Sequence, residues 1–281
     1  MGHAIPRPAP ADERLLRWSG RFFYFAALTG LGAFGLYIVL RATGVTFSNF
    51  QQWQALMSGL PMPTAADWIA SLGIGMHYVM GTVLVLAWPI LFSARIRSRL
   101  RSIHRWTGRV YVTAGFLAGV GGMSFILARH NGGPAHIAFA IWGSVMMLSA
   151  TLAYTHARAK RFTAHRAWAI RLFAMVLGSW LYDLEVYAWQ DLTSGAGMTE
   201  RGDGPLDYFF LYFFFVPNLL VAEIFIRNQH KRLALPRNLK WPMWAAVAIT
   251  GVIFIYSIGL VTATHGGKYG KHLLGIFERA L

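Results

Sequence analysis

Four apolar segments follow one another between His77 and Arg171, and each opens with a histidine: His77-Tyr-Val-Met-Gly81, His104-Arg-Trp-Thr-Gly108, His136-Ile-Ala-Phe-Ala140 and His165-Arg-Ala-Trp-Ala169. The histidines stand 27, 32 and 29 residues apart. Crossing the hydrocarbon of a bilayer takes roughly 20 residues of helix, so each interval is one crossing plus a short turn. Successive helices then run in opposite directions. His77 and His136 fall near one membrane face, and His104 and His165 near the other.

Composition agrees with a membrane chain: 56% of the 281 residues are apolar and only 13% charged, against about 25% charged in soluble domains. Seven spans are expected, at 22–40, 72–93, 107–128, 136–156, 167–190, 208–226 and 242–262. The expectation is an all-α integral membrane protein forming a single domain over 1–281, with a four-helix core at 72–190 and flanking helices at 22–40, 208–226 and 242–262. The net charge of +15 excludes nothing about the bilayer, because basic residues collect in cytoplasmic loops. With no soluble domain to carry it, that charge does not indicate nucleic-acid binding.

Twenty Lys and Arg fall in the N-terminal tail and the 94–109, 157–171 and 227–240 connections, and six on the opposite side. The positive-inside rule puts the N-terminus in the cytoplasm and the C-terminus outside, in a bacterial inner membrane. Eight of the eleven acids lie on the outer side or its boundary. The polar start lacks a small-residue cleavage site after an apolar stretch, so the first span is expected to serve as an uncleaved insertion signal. In the outer loop 43–71, Trp53, Leu56 and Leu60 have helical spacing and suit an interfacial helix or a plain spacer. The loop 191–207, rich in Gly, Thr and Asp, is expected to be mobile, and Pro217 to kink the sixth span.

There is no cysteine, hence no disulfide, thiolate ligand or covalently attached haem. Histidine is the strong soft-metal ligand left. In an up-down core the first and third helices are diagonal, as are the second and fourth. The pairs His77/His136 and His104/His165 are therefore positioned to hold two b haems, one near each face, since bis-histidine ligation needs two imidazoles facing across a macrocycle. Four residues after each ligand, on the same helix face, stands a small residue: Gly81, Gly108, Ala140 or Ala169. Gly108, Gly115, Gly119 and Gly122 extend this into a stripe. A second reading stands beside it, because histidines suit membrane interfaces and small residues let helices pack closely. His130 and His156 are interfacial candidates or alternative ligands one helix away.

Arg105 and Arg166 are placed to pair with haem propionates through a planar fork, or with lipid phosphate. Arg171 lies six residues past His165 and, so deep, is expected to have a partner. Asp183 and Glu185 either relay protons at the outer side or pair with Arg41 or Arg129. Glu223 is expected to pair with a loop cation.

The segments HRWTGRVYV (104–112) and HRAWAIRLFA (165–174) resemble the hallmark motifs of a bacterial polytopic membrane-protein family defined as a domain of unknown function. That likeness covers about residues 70–190 and implies no activity. The layout of four histidines is also similar to the ascorbate-reducible, two-haem transmembrane cytochromes b. That likeness implies haem ligands at His77, His136, His104 and His165 on four central helices, while the seventh span and the motif surroundings depart from it.

These observations lead to the expectation of a transmembrane cytochrome moving electrons across the bilayer. Its redox substrate would be a quinol, an ascorbate-like reductant, ferric ion or superoxide. The rival is a haem-free accessory subunit of a larger membrane complex.

Overall fold

The computed structural model describes residues 68–129, 134–199 and 202–228, with scattered positions between Trp18 and Gly35. The chain divides into two compact units, Phe34–Ile226 and a unit made of both ends, Met1–Ala33 with Arg227–Leu281. The description concerns the central unit. Its helices are α1 (Trp68–Phe92), α2 (Ala94–Arg99), α3 (Arg101–Arg129), α4 (Pro134–Arg158), α5 (Phe162–Thr193), α6 (Pro205–Phe213) and α7 (Val216–Asn228). Among the described residues there is no strand.

Five stretches are long and apolar enough to cross a membrane: Leu72–Phe92, Arg101–Ala128, Pro134–Arg158, Phe162–Thr193 and Pro205–Arg227. They coincide with the second to sixth expected spans. The seventh span, most of the first and the interfacial helix of loop 43–71 lie outside the described residues. Helices α3 and α5 start at Arg101 and Phe162, earlier than expected from apolarity. Apolarity marks only the part of a helix inside hydrocarbon, whereas the helix continues through the basic interfacial turn. His104 and His165 consequently lie inside helices.

Helix α1 packs along α3, α3 along α4, and α4 along α5. The ring closes where Trp88 and Phe92 of α1 meet Phe173 of α5, with centroids 5.2 and 4.6 Å apart. Because lipid gives helices no hydrophobic reason to associate, close packing of small residues has to hold them. The tightest approach is between α1 and α3. A Cβ built on Gly121 would stand 2.5 Å from the Gly73 carbonyl oxygen and 2.8 Å from the backbone N of His77. Between α3 and α4, a Cβ on Gly119 would collide with Met147 Cγ and sit 3.1 Å from the Gly143 carbonyl oxygen. Leu84, Ala118, Met146, Ala153, Leu172 and Met175 fill the interior. Leu72, Leu127 and Val221 lie on the exposed apolar exterior that a bilayer would cover.

The α5–α6 connection is cross-braced, where the sequence reading has it mobile. The Asp207 carboxylate accepts from Thr199 N at 3.0 Å and Gly204 N at 2.9 Å, and the Trp189 indole donates to the Ala196 carbonyl at 2.7 Å. Gly197, at φ +77°, presses against Leu206, where a Cβ would be 2.7 Å away. The sixth span is interrupted at Phe214–Phe215 and resumes with Pro217 at the second position of α7. Proline has no N–H to donate. The Asn218 amide turns back to the Phe214 carbonyl at 2.6 Å, so that oxygen keeps a donor at the break.

Candidate functional site

The four histidines divide by the end of the bundle they occupy. One end carries the 94–109 and 157–171 connections and is called the basic end; the other is the far end.

At the basic end, His165 sits in the first turn of α5, and its Nδ1 lies 2.8 Å from the Ala153 carbonyl oxygen of α4. A carbonyl only accepts, so Nδ1 carries the proton. The tautomer is thereby set, and Nε2 keeps a lone pair. Proteins orient metal-ligating histidines with just such a second bond. His104 lies in the first turn of α3, at the same end of the bundle. Its own Nδ1 is buried and has no hydrogen-bond partner. The structure places both residues in the first turns of helices that start at the basic end.

Two further buried polar atoms near this end have no hydrogen-bond partner: the Tyr111 hydroxyl and the Ser149 hydroxyl, on residues 3% and 0% exposed. Tyr111 is two turns past His104 on the same face of α3. Ser149 lies one turn from Ala153, the carbonyl that holds His165. Leaving such a group unsatisfied costs about 1–3 kcal/mol. Neither residue was singled out from sequence. Tyr111 carried a signal in its place within HRWTGRVYV; Ser149 carried none.

The small residues separate into two kinds. A Cβ on Gly108 would meet only Leu91 Cδ2, at 3.7 Å, and a Cβ on Gly81 nothing within 4 Å. Both have open space beside them. Gly115 instead faces Leu172 at 3.1 Å and Ala150 at 3.5 Å, and Gly122 faces His77 Nδ1 at 3.1 Å. The stripe read from sequence is therefore not one smooth surface, because its members meet different neighbouring helices. Ala140 and Ala169 are half-buried.

Arg105 and Arg166 are exposed. Each motif also stacks an arginine on the tryptophan three residues before it: Arg109 over Trp106 at 4.7 Å, and Arg171 over Trp168 at 4.5 Å. Arg171 reaches Glu223 of α7 through Nη2 at 2.6 Å and Nε at 3.2 Å. The deep arginine has its expected partner. Glu223, expected to bind a loop cation, binds this one instead.

At the far end, His77 of α1 places Nδ1 2.9 Å from the Ala118 carbonyl oxygen of α3. Its ring meets the edge of Trp142 of α4, with centroids 5.8 Å apart. His136 is in the first turn of α4, six residues before Trp142 and therefore about 9 Å farther out along the helix. Equal depth, which the spacing implied, does not hold for this pair. The reason is helix register: Gly73 and Gly121 set how far α1 slides along α3, and loop lengths do not reveal it. Glu185 has a buried carboxylate oxygen with no hydrogen-bond partner; Arg41 lies outside the described residues.

Residues 74–226 match the family described as "Predicted membrane protein (DUF2306)". The chain belongs to this family. No curated protein and no solved structure matches it. The matched stretch of DUF2306 runs from three residues before His77 to the α7 turn that carries Glu223, so it contains all four histidines and the Arg171–Glu223 pair. The family description assigns no chemistry, which leaves the fit of a haem to be judged on geometry. At the basic end the donor set suits one: histidines opening two helices, with Gly108 and the exposed Arg105 and Arg166 beside them. At the far end it does not, since Trp142 lies against His77 where a ligated ring would need a macrocycle.

Proposed function

We propose that the protein is a b-type membrane cytochrome, in which His104 and His165 would hold a haem at the basic end. The observation that carries this reading is the 2.8 Å bond from His165 Nδ1 to the Ala153 carbonyl oxygen. It leaves Nε2 available to a metal, with His104 in the first turn of α3 at the same end. Arg105 and Arg166 would pair with the propionates, and Leu91 beside Gly108 would border the macrocycle. When bound, haem supplies one-electron redox chemistry at a potential tuned by its ligands and burial. The chain orients the imidazoles, keeps the site within the bundle and offers cations at its mouth. By the positive-inside rule this end faces the cytoplasm. The electron partner belongs to the quinol, ascorbate-like, ferric or superoxide class.

Purifying the full chain in detergent and recording a dithionite-reduced minus oxidised spectrum tests the reading. A b-type difference spectrum is expected. A featureless one from cells supplied with haem would overturn it and favour a haem-free subunit of a larger complex. Reporter fusions after residues 100 and 160 should report cytoplasm, and one after 198 the exterior.

A further inference from the structure

We infer that the chain holds one haem, not two, and that the far-end histidine His77 is a packing strut whose surroundings exclude a second. The inference rests on the cytochrome reading above and deepens it by naming which histidine pair is a site.

Three observations carry it. The first is depth. Imidazole nitrogens sit about 2 Å from the metals they ligate, so two axial Nε2 atoms must lie about 4 Å apart across one iron. His77 meets Trp142, and His136 is six residues away from that level, about 9 Å along α4. Helical side chains lean towards their own N-terminus. Both α1 and α4 begin at the far end, so both histidines lean the same way and the gap does not close.

The second is occupancy. Trp142 is 9% exposed, and its indole N–H donates to the Met175 carbonyl at 3.1 Å. Phe214 stands behind it at 5.5 Å, and Tyr182 contacts Phe214 at 5.2 Å and Phe139 at 6.2 Å. A macrocycle on the α4 side of His77 would have to displace this connected layer of rings and break the bond to Met175.

The third is register. Bringing His77 level with His136 requires α1 to slide along α3, and the Gly73–Gly121 approach blocks that slide. The His77 imidazole already fills the hollow left by Gly122, with its Nδ1 bonded to Ala118. Its role is to tie α1 to α3.

The test is haem stoichiometry on the purified full-length protein: pyridine haemochrome against amino-acid analysis, paired with a reductive titration. One haem per chain and a single redox wave are expected. His136→Ala should keep that ratio, and so should His77→Gln, which preserves a side-chain donor where His77→Ala could fail to fold. Two haems per chain, or any haem loss in His136→Ala, would overturn the inference and leave the cytochrome reading standing. No haem in the unaltered protein would overturn both.

Discussion

The two ends of the bundle use the same device, a histidine whose Nδ1 bonds a neighbouring helix's carbonyl, and obtain different results. At the basic end the bonded ring is His165, in the first turn of α5 as His104 is in the first turn of α3. At the far end the bonded ring, His77, faces tryptophan and a layer of aromatic contacts. The bond alone does not make a ligand. What distinguishes the far end is the packed layer of rings that begins with Trp142 beside His77. Gly108 beside His104 and Gly81 beside His77 both leave room for a Cβ, so these glycines do not separate the ends; Gly122 is filled by His77 itself.

The sharpest way to break the comparison is to remove the rings one at a time. His104→Ala and His165→Ala should each abolish haem binding, with the double variant no worse than either single, measured as haem absorbance per folded protein. His77→Ala should keep its haem but lower the detergent melting temperature, because the Ala118 carbonyl loses its donor, at a cost of about 1–3 kcal/mol. Equal haem loss from both ends would erase the distinction.

A Leu pair compares the two kinds of glycine. Gly119→Leu meets Met147 and the Gly143 carbonyl, so destabilisation near the upper end of about 1–3 kcal/mol is expected. Gly108→Leu should stay folded while haem per chain collapses. Thermal melts run beside haem assays separate these outcomes, and full haem occupancy in a stable Gly108→Leu protein would remove Gly108 from the site.

Smaller still is the effect of the ion pair. Losing one partner of a fully buried pair costs about 3–5 kcal/mol; with side chains 21% and 31% exposed, Arg171→Met should cost less, about 2 kcal/mol. Adding Glu223→Leu should restore most of it in a double-mutant cycle. The least effect is expected of Asn218→Ala, which uncouples the Phe214 carbonyl for about 1 kcal/mol and leaves haem content unchanged.

The helices were legible because hydrocarbon imposes length and apolarity on each span separately, and Leu72–Phe92 needs no knowledge of its neighbours. That His104 and His165 open helices at the same end was legible from the alternation of the spans. The separation of His77 from His136 was not. It depends on where Gly73 meets Gly121, a contact between two helices that neither segment announces alone. Arg171 and Glu223 were each marked as needing a partner, but 52 residues of chain separate them and only the docking of α7 on α5 joins them. The carbonyls of Ala118 and Ala153 were invisible for a simpler reason: every residue has one.

The two histidine bonds also differ in how much chain they enclose, 12 residues for His165 with Ala153 and 41 for His77 with Ala118. During synthesis a segment can pair only with what has already left the ribosome. The shorter bond closes within a single hairpin, as soon as the start of α5 follows α4 into the membrane. By then α3 and its His104 are already in place. The His165–Ala153 bond can therefore form before α6 and α7 have been made, and the later helices are built onto a bundle whose basic end is already tied.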